Sequence, residues 1–476
     1  MKRKTTVSAL IICILTGMLL IGCSEKEKPL LNPEEPTVIT LWHAYNAYAK
    51  AVFDRQVQVF NETVGLEKGI VVDAYGYGTS EELDEALYNS ANHVIGASPM
   101  PNLFTAYPDS AYRLDQITPL ADLNAYFSEE ELLSYRPDFL EEGIWGDGDA
   151  LKMLPIAKST ELLYLNSTDW EVFKDETSIT DKNLTTWEGL AEAAHTYYVW
   201  SDGQPFLGMN SYNDFAFLSA AQMGIVPYKL EQDTLKEFYY PKETAKRVWD
   251  AYYVPHIMGW YKSQVYNQDG IKSGSLIAYI GSSAGAGYFP KSVILNETSE
   301  YEIECRALPY PVFKGGQEFM NQRGANMGIS ASDKVHEYAS AEFLKWFTDL
   351  EQNIEFTVST GYIPVKEEAL SSVSRLLEHV KENDNSDAVK KSVSATLEAM
   401  EKGIFYSKQV FHDSYRYDEI FKESLSRKTE IDLNELEMRA ANGEDRKSVQ
   451  EELAGEDNFN EWYDSLMNEM AGILNE

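Results

Sequence analysis

Apolar positions in the first part of the chain alternate between two rhythms. Val38-Ile39-Thr40-Leu41-Trp42 is a nearly continuous apolar run, suited to a strand buried on both faces. Phe53, Val57, Phe60 and Val64 then recur at spacings of four, three and four, which marks one face of a helix. Residues 69–75 read as a second strand rich in β-branched side chains. Residues 80–91 read as a second helix with Leu83 and Leu87 on one face, and 103–106 as a third short strand. This alternation predicts a parallel α/β sheet with helices on its faces. Ligands of such sheets lie beyond the carboxyl ends of the strands. Trp42-His43-Ala44-Tyr45, Tyr75 and Tyr107-Pro108-Asp109 are therefore expected along one edge.

The middle of the chain has a different pattern. Residues 152–156 and 162–165 are extended, and Thr185 with Glu188 forms a capping-box candidate opening a helix through Ala191, Ala194 and Tyr198. Residues 274–280 read as a strand that leads into the glycine-rich turn 281–287, and residues 301–308 read as another. Ser330-Ala331-Ser332-Asp333 opens a helix carrying Phe343, Phe347 and Leu350, and from Ser372 onward the chain is almost wholly helical in character. No internal repeat is visible.

The amino terminus is a separate unit. Lys2, Arg3 and Lys4 precede an apolar run from Val7 to Ile21, the anatomy of a secretory signal peptide. The run is shorter than the ~20 apolar residues a membrane span needs. It ends in Leu20-Ile21-Gly22-Cys23, which resembles a bacterial lipobox. That resemblance implies a signal peptide over 1–22 and lipidation of Cys23 as the first mature residue. Charges and three prolines make 23–36 a flexible, disordered spacer. The expected address is the extracytoplasmic face of the cell membrane, held by lipid.

Composition narrows the partners. About 450 mature residues exceed one core and suit two domains. A net charge of −35 argues against nucleic acid, whose binding rests on basic groups, and leaves membrane attachment to the lipid. Of three cysteines, Cys13 leaves with the signal and Cys23 takes the lipid, so Cys305 has no disulfide partner and is expected as a small buried hydrophobe.

Positive signals for catalysis are absent. The seven histidines show no His-Glu-x-x-His spacing, and no Ser sits in a Gly-x-Ser-x-Gly elbow. Residues 382–387 lack the glycine and distal glutamate of an EF-hand loop, and no metal site or cofactor is expected. The turn 281–287, with Ser282 and Ser283, is either an anion cradle or a plain connection, and it lacks the Gly-Lys-Ser/Thr ending of a P-loop. Abundant aromatic residues could stack on sugar rings, although most must serve the core.

Four landmarks, taken in order, resemble the extracellular solute-binding protein family 1, the saccharide-binding lipoproteins of ABC importers. They are Ile39-Thr40-Leu41-Trp42-His43-Ala44; Leu154-Pro155-Ile156-Ala157-Lys158-Ser159-Thr160 running into Leu163-Tyr164-Leu165-Asn166; Thr186-Trp187-Glu188-Gly189-Leu190-Ala191; and Ala341-Glu342-Phe343-Leu344-Lys345-Trp346-Phe347 followed by Thr360-Gly361-Tyr362-Ile363-Pro364. The resemblance implies a two-lobed periplasmic-binding-protein-like α/β fold of type II with a cleft between the lobes. The first lobe would hold 37–155 and 312–361, the second 156–311 and 362–476, with hinges near Ala157-Lys158 and Tyr362-Ile363. It implies a monomeric, non-enzymatic binder that delivers a mono- or oligosaccharide to ABC permease subunits.

Similarity to glycerol-3-phosphate and glycerophosphodiester binders places Tyr75, Ser159, Ser283, Gly324 and Tyr362 on ligand-contacting positions, with Asp109 beside another. The arginine that holds phosphate in that group is missing near Phe411-His412-Asp413, which favours a neutral sugar, though Arg323 or Lys158 could supply a charge. Trp42, Tyr75, Tyr212, Trp260 and Tyr362 are stacking candidates; Tyr212 and Trp260 could equally be core. His43, Asp109, Ser159, Ser283 and Arg323 are candidates for hydrogen bonds or charge. A surface glycan hydrolase and a ligand-sensing module remain the alternatives from other classes.

Overall fold

The computed structural model describes residues 30–474 apart from 46, 147–149, 210–212, 232–233, 264–266, 372 and 381–385. The signal segment, Cys23, Tyr212 and nearly all of the acidic stretch 382–387 lie outside the described residues.

Two five-stranded sheets organise the chain. The first runs Ile70–Gly76, Thr37–His43, Leu103–Ala106, Asn326–Ile329 and Met153–Pro155. Its first three strands are parallel, in a register that sets Trp42 opposite both Tyr75 and Phe104, so their carboxyl ends share one edge. Asn326–Ile329 runs antiparallel between its two neighbours. The second sheet runs Cys305–Pro309, Glu161–Asn166, Ala278–Ser282, Leu207–Gly208 and Tyr261–Lys262.

The helices follow local chemistry. Ser80–Ala91 starts at Thr79, whose hydroxyl accepts the Glu82 amide, and buries Leu83 and Leu87 on its sheet-facing side. Trp187–Trp200 starts one residue later than the pattern suggests. Thr186, not Thr185, accepts the Gly189 amide at 3.2 Å, while the Glu188 carboxylate takes Arg247 and the Lys314 amide instead of reaching back. The glycine-rich turn is a short 3-10 helix, Ser283–Tyr288, capped by Ser282. The strand expected over 301–308 divides into Ser299–Glu302 and Cys305–Pro309.

Each sheet has its own core. Leu41, Phe53, Phe60, Phe343, Phe347 and Phe356 fill the first. Leu163, Trp170, Trp187, Phe215, Trp249 and Phe459 fill the second. Two expected boundaries differ. Leu31, within the expected spacer, is only 8% exposed and packs into the first core, because an apolar side chain next to Gly69 and the first strand gains by burial. In the tail, Ala369, Leu370 and Leu376 join the first core rather than the second. Helix Ser386–Lys402 packs Val393 and Leu397 on the first core and Ala388 and Ala395 beside Tyr164 and Tyr279. The tail packs against the second core at Tyr406 and joins it from Phe411 onward.

Three chain passages lie side by side between the sheets. Ser159 and Arg323 exchange backbone hydrogen bonds at 2.8 and 2.9 Å, and Lys158 and Ile363 do so at 3.1 and 2.6 Å. Gly324 makes this crossing fit: its φ is +94°, and a Cβ there would lie 2.4 Å from the Ala157 carbonyl oxygen.

Candidate functional site

A cavity of about 370 Å³ opens between the lobes. From the first sheet's side come Glu81, Tyr107, Asp109 and Glu142; from the second come Phe217 and Lys422; Asn321, Gln322, Arg323, Tyr406 and Lys408 line the passage between them. Strand Leu103–Ala106 delivers Tyr107 as the N-cap of helix Pro108–Asp115. Pro108 suits the first turn, where no amide partner is needed, and Asp109 suits the positive end of the helix. A two-stranded parallel pairing of Phe319–Asn321 with Ile404–Tyr406 sets Asn321 opposite Tyr406. That pairing brings the tail to the cavity.

The charges here are matched. Lys408 Nζ donates to Asp109 Oδ2 at 2.8 Å and also to Asp418. Arg323 Nη1 donates to Glu161 Oε1 at 3.0 Å. Glu142 accepts from the fully buried Lys158 and from Asn326 Nδ2 at 2.8 Å. Burial works to raise the Asp109 pKa, but Lys408 and Lys422 together outweigh it and hold the carboxyl below its ordinary range.

Several buried polar atoms on the wall have no hydrogen-bond partner among the described residues: Asp109 Oδ1, Asn321 Nδ2, and both Nε2 and Oε1 of Gln322. Buried polar groups are ordinarily paired. Donors from two amides beside an acceptor carboxylate form the complement of a molecule bearing several hydroxyls, each of which both gives and takes a hydrogen bond. Tyr107 is 38% exposed and presents a ring to the same space. Tyr362 lies next to it: burial, with Tyr107 adding and Arg323 opposing, pushes its hydroxyl up to about 12.

The residues expected from sequence divide among several places. Asp109 and Arg323 line the cavity and Tyr362 adjoins it. Ser159, Ser283 and Gly324 sit in the crossing, where Ser282 Oγ donates to Ser159 Oγ at 3.4 Å. The Ser283 hydroxyl accepts the Thr160 amide at 3.3 Å, and the Gly324 carbonyl accepts Lys158 Nζ at 3.2 Å. Trp42 is packed against Tyr77 at 5.3 Å, and Tyr75 leads from there to the surface, both off the cavity wall. His43 is fully buried against Phe53 and accepts the Tyr45 amide on Nδ1. Trp260 stacks on His195 at 4.5 Å in the second lobe.

Asn321, Gln322, Tyr406, Lys408 and Lys422 were not legible as site residues. The one local signal is Asp418 with Lys422, an i,i+4 pair on a helix. Among the described residues no group of three or more His, Cys, Asp or Glu is arranged to hold a metal, and no helix is long and apolar enough to cross a membrane. Cys305 is buried, and burial raises its thiol to about 12.

Two open α/β sheets, with a polar cavity lined by residues from both sides, define a two-lobed architecture. Solved structures share this architecture. The cyclic α-maltosyl-1,6-maltose binding protein of Arthrobacter globiformis matches with a TM-score of 0.65 at 16% identity, covering 92% of this chain and 99% of that one. The GacH receptor of Streptomyces glaucescens, solved unliganded and with acarbose, matches at 0.62 and 14%, covering 91% and 99%. UgpB of Mycobacterium tuberculosis, in complex with glycerophosphocholine, matches at 0.63 and 15%, covering 92% and 98%. These likenesses establish the fold. No curated protein matches the sequence. The family model described as "Bacterial extracellular solute-binding protein" matches residues 57–383, more than half of the chain, and the chain belongs to that family.

Proposed function

We propose that this protein is a lipid-anchored receptor that captures a neutral mono- or oligosaccharide in the interlobe cavity and hands it to an ABC permease. The observation that carries the reading is the set of unpartnered buried atoms on Asp109, Asn321 and Gln322, a hydroxyl-complementary wall in a cavity whose cations already hold carboxylates. Relatives in fold bind a cyclic maltosyl-maltose and acarbose, which supports the same ligand class here.

The three side-by-side passages serve as the hinge. A solute bridging both lobes favours the closed form only by its differential affinity for it. The lipid on Cys23 keeps the receptor near its permease, raising effective concentration without new contacts. The protein binds its solute without transforming it.

A thermal-shift panel tests this, since a ligand selective for the native state raises apparent stability. The panel comprises maltodextrins, xylo-oligosaccharides, simple sugars and glycerol-3-phosphate. Stabilisation by a saccharide is expected. Stabilisation by glycerol-3-phosphate alone would assign Lys408 and Lys422 to a phosphoester instead. Sustained release of product from a glycan would overturn the binding-only role.

A further inference from the structure

One wall of the cavity is bridged by charges, and most of them come from the C-terminal tail. Lys408 Nζ donates to Asp109 Oδ2 at 2.8 Å and also to Asp418. Lys422 Nζ lies 3.6 Å from Asp109 Oδ2 and 3.8 Å from Asp418 Oδ2. Asp109 belongs to helix Pro108–Asp115 of the first lobe, whereas Asp418 and Lys422 sit one turn apart on helix Ser414–Ala441, which packs into the second core.

A second contact crosses the same gap. Arg113, one turn along from Asp109, holds its guanidinium 4.5 Å from the Tyr88 ring of the first lobe and 4.0 Å from the Tyr415 ring on the tail helix. Lys408, Tyr415, Asp418 and Lys422 all lie beyond residue 383, where the family match ends.

We infer that residues 408–422 of the tail form an ionic latch that holds the lobes together across Asp109. Asp418 is buried at the base of the tail helix, so it keeps both lysines aimed at the opposite lobe. Opening the lobes would part Asp109 from both ammonium groups. Asp109 would then lose both cations, and Lys408 and Lys422 would each lose one of the two carboxylates they share. The separation is therefore opposed electrostatically. Asp109 and Lys422 keep about a quarter of their side-chain surface in water, so the bridge is open to screening by salt. The screening length falls from ~10 Å at 0.1 M to ~3 Å at 1 M ionic strength.

Small-angle X-ray scattering on the ligand-free mature chain tests the latch, and it does so whatever the solute proves to be. A compact chain of this size has a radius of gyration of ~22 Å. Raising NaCl from 0.05 to 1 M is expected to increase the wild-type radius. Asp109→Asn is expected to show that increase already at low salt and to respond no further. Lys422→Gln, which removes a partly exposed partner, should shift the radius in the same direction. The exchange of Asp109→Lys with Lys408→Asp should restore the compact form and its salt response, with circular dichroism melts confirming that each variant is folded. A folded Asp109→Asn that keeps the wild-type radius and salt response overturns the inference, as does an expansion that the charge exchange does not reverse.

Discussion

His43 ends the strand Thr37–His43 with its side chain fully buried. Its ring lies 4.7 Å from that of Phe53 and 5.5 Å from that of Tyr45, and Nδ1 accepts the Tyr45 amide at 3.2 Å. Burial lowers its pKa from 6.5 to about 4, with Asp54 opposing and Lys50 adding to the shift. The folded state thus prefers the neutral ring. A depressed pKa contributes stability that is present above pH 6.5 and is lost as pH falls towards 4. The whole shift corresponds to about 3 kcal/mol, of which about 2 kcal/mol is gone by pH 5.

His43→Asn keeps a neutral acceptor for the Tyr45 amide and removes the titration. Urea unfolding of both proteins at pH 7, 6 and 5 should show the wild type ahead at pH 7 through better packing. That advantage should shrink by about 2 kcal/mol at pH 5. Direct observation of the imidazole by NMR should place its midpoint near 4 rather than 6.5. A wild-type advantage independent of pH, or an imidazole titrating at its ordinary value, would refute the reasoning.

Gly324→Ala should lower the melting temperature by several degrees in scanning calorimetry. A backbone held at positive φ costs a non-glycine residue ~1–3 kcal/mol, and the new Cβ would press on the Ala157 carbonyl. An unchanged melting temperature would show that the crossing yields freely. Cys305, buried with its thiol raised to about 12, should react with iodoacetamide at pH 8 far more slowly in the native protein than in urea. Equal rates would place it at the surface.

The three parallel strands of the first sheet were legible because their information is local, whereas the antiparallel Asn326–Ile329 and its neighbour Met153–Pro155 join from distant sequence and make the sheet mixed rather than parallel. Leu41, Phe53, Phe60, Leu83 and Leu87 announce strand and helix by spacing alone, and each is buried as its spacing requires. Asp109 was expected from its place at a strand's carboxyl end, where such sheets carry ligands, and Arg323 only from the family resemblance; both line the cavity. The far wall was hidden for a physical reason. Asn321 meets Tyr406, and Lys408 meets Asp109, through contacts that join distant stretches of sequence, and no periodicity encodes such partners. The same holds for the tail, where Leu376 and Phe421 share a helical pattern but serve different cores. Trp42 and His43 show the converse: aromatic and polar residues at a strand end looked available to a ligand, whereas Tyr77 and Phe53 cover them.

The central claim is that a hydroxylated solute completes the unpaired groups on the cavity wall. Isothermal titration calorimetry with the saccharide that most stabilises the wild type tests it directly, comparing the wild type with Asn321→Ala and Gln322→Ala. Each variant loses a hydrogen-bonding amide worth ~0.5–1.5 kcal/mol, so affinity should fall by up to about tenfold in each while the melting temperature without ligand stays close to wild type. Unchanged affinity in both variants, or a panel in which no saccharide binds, would contradict the account.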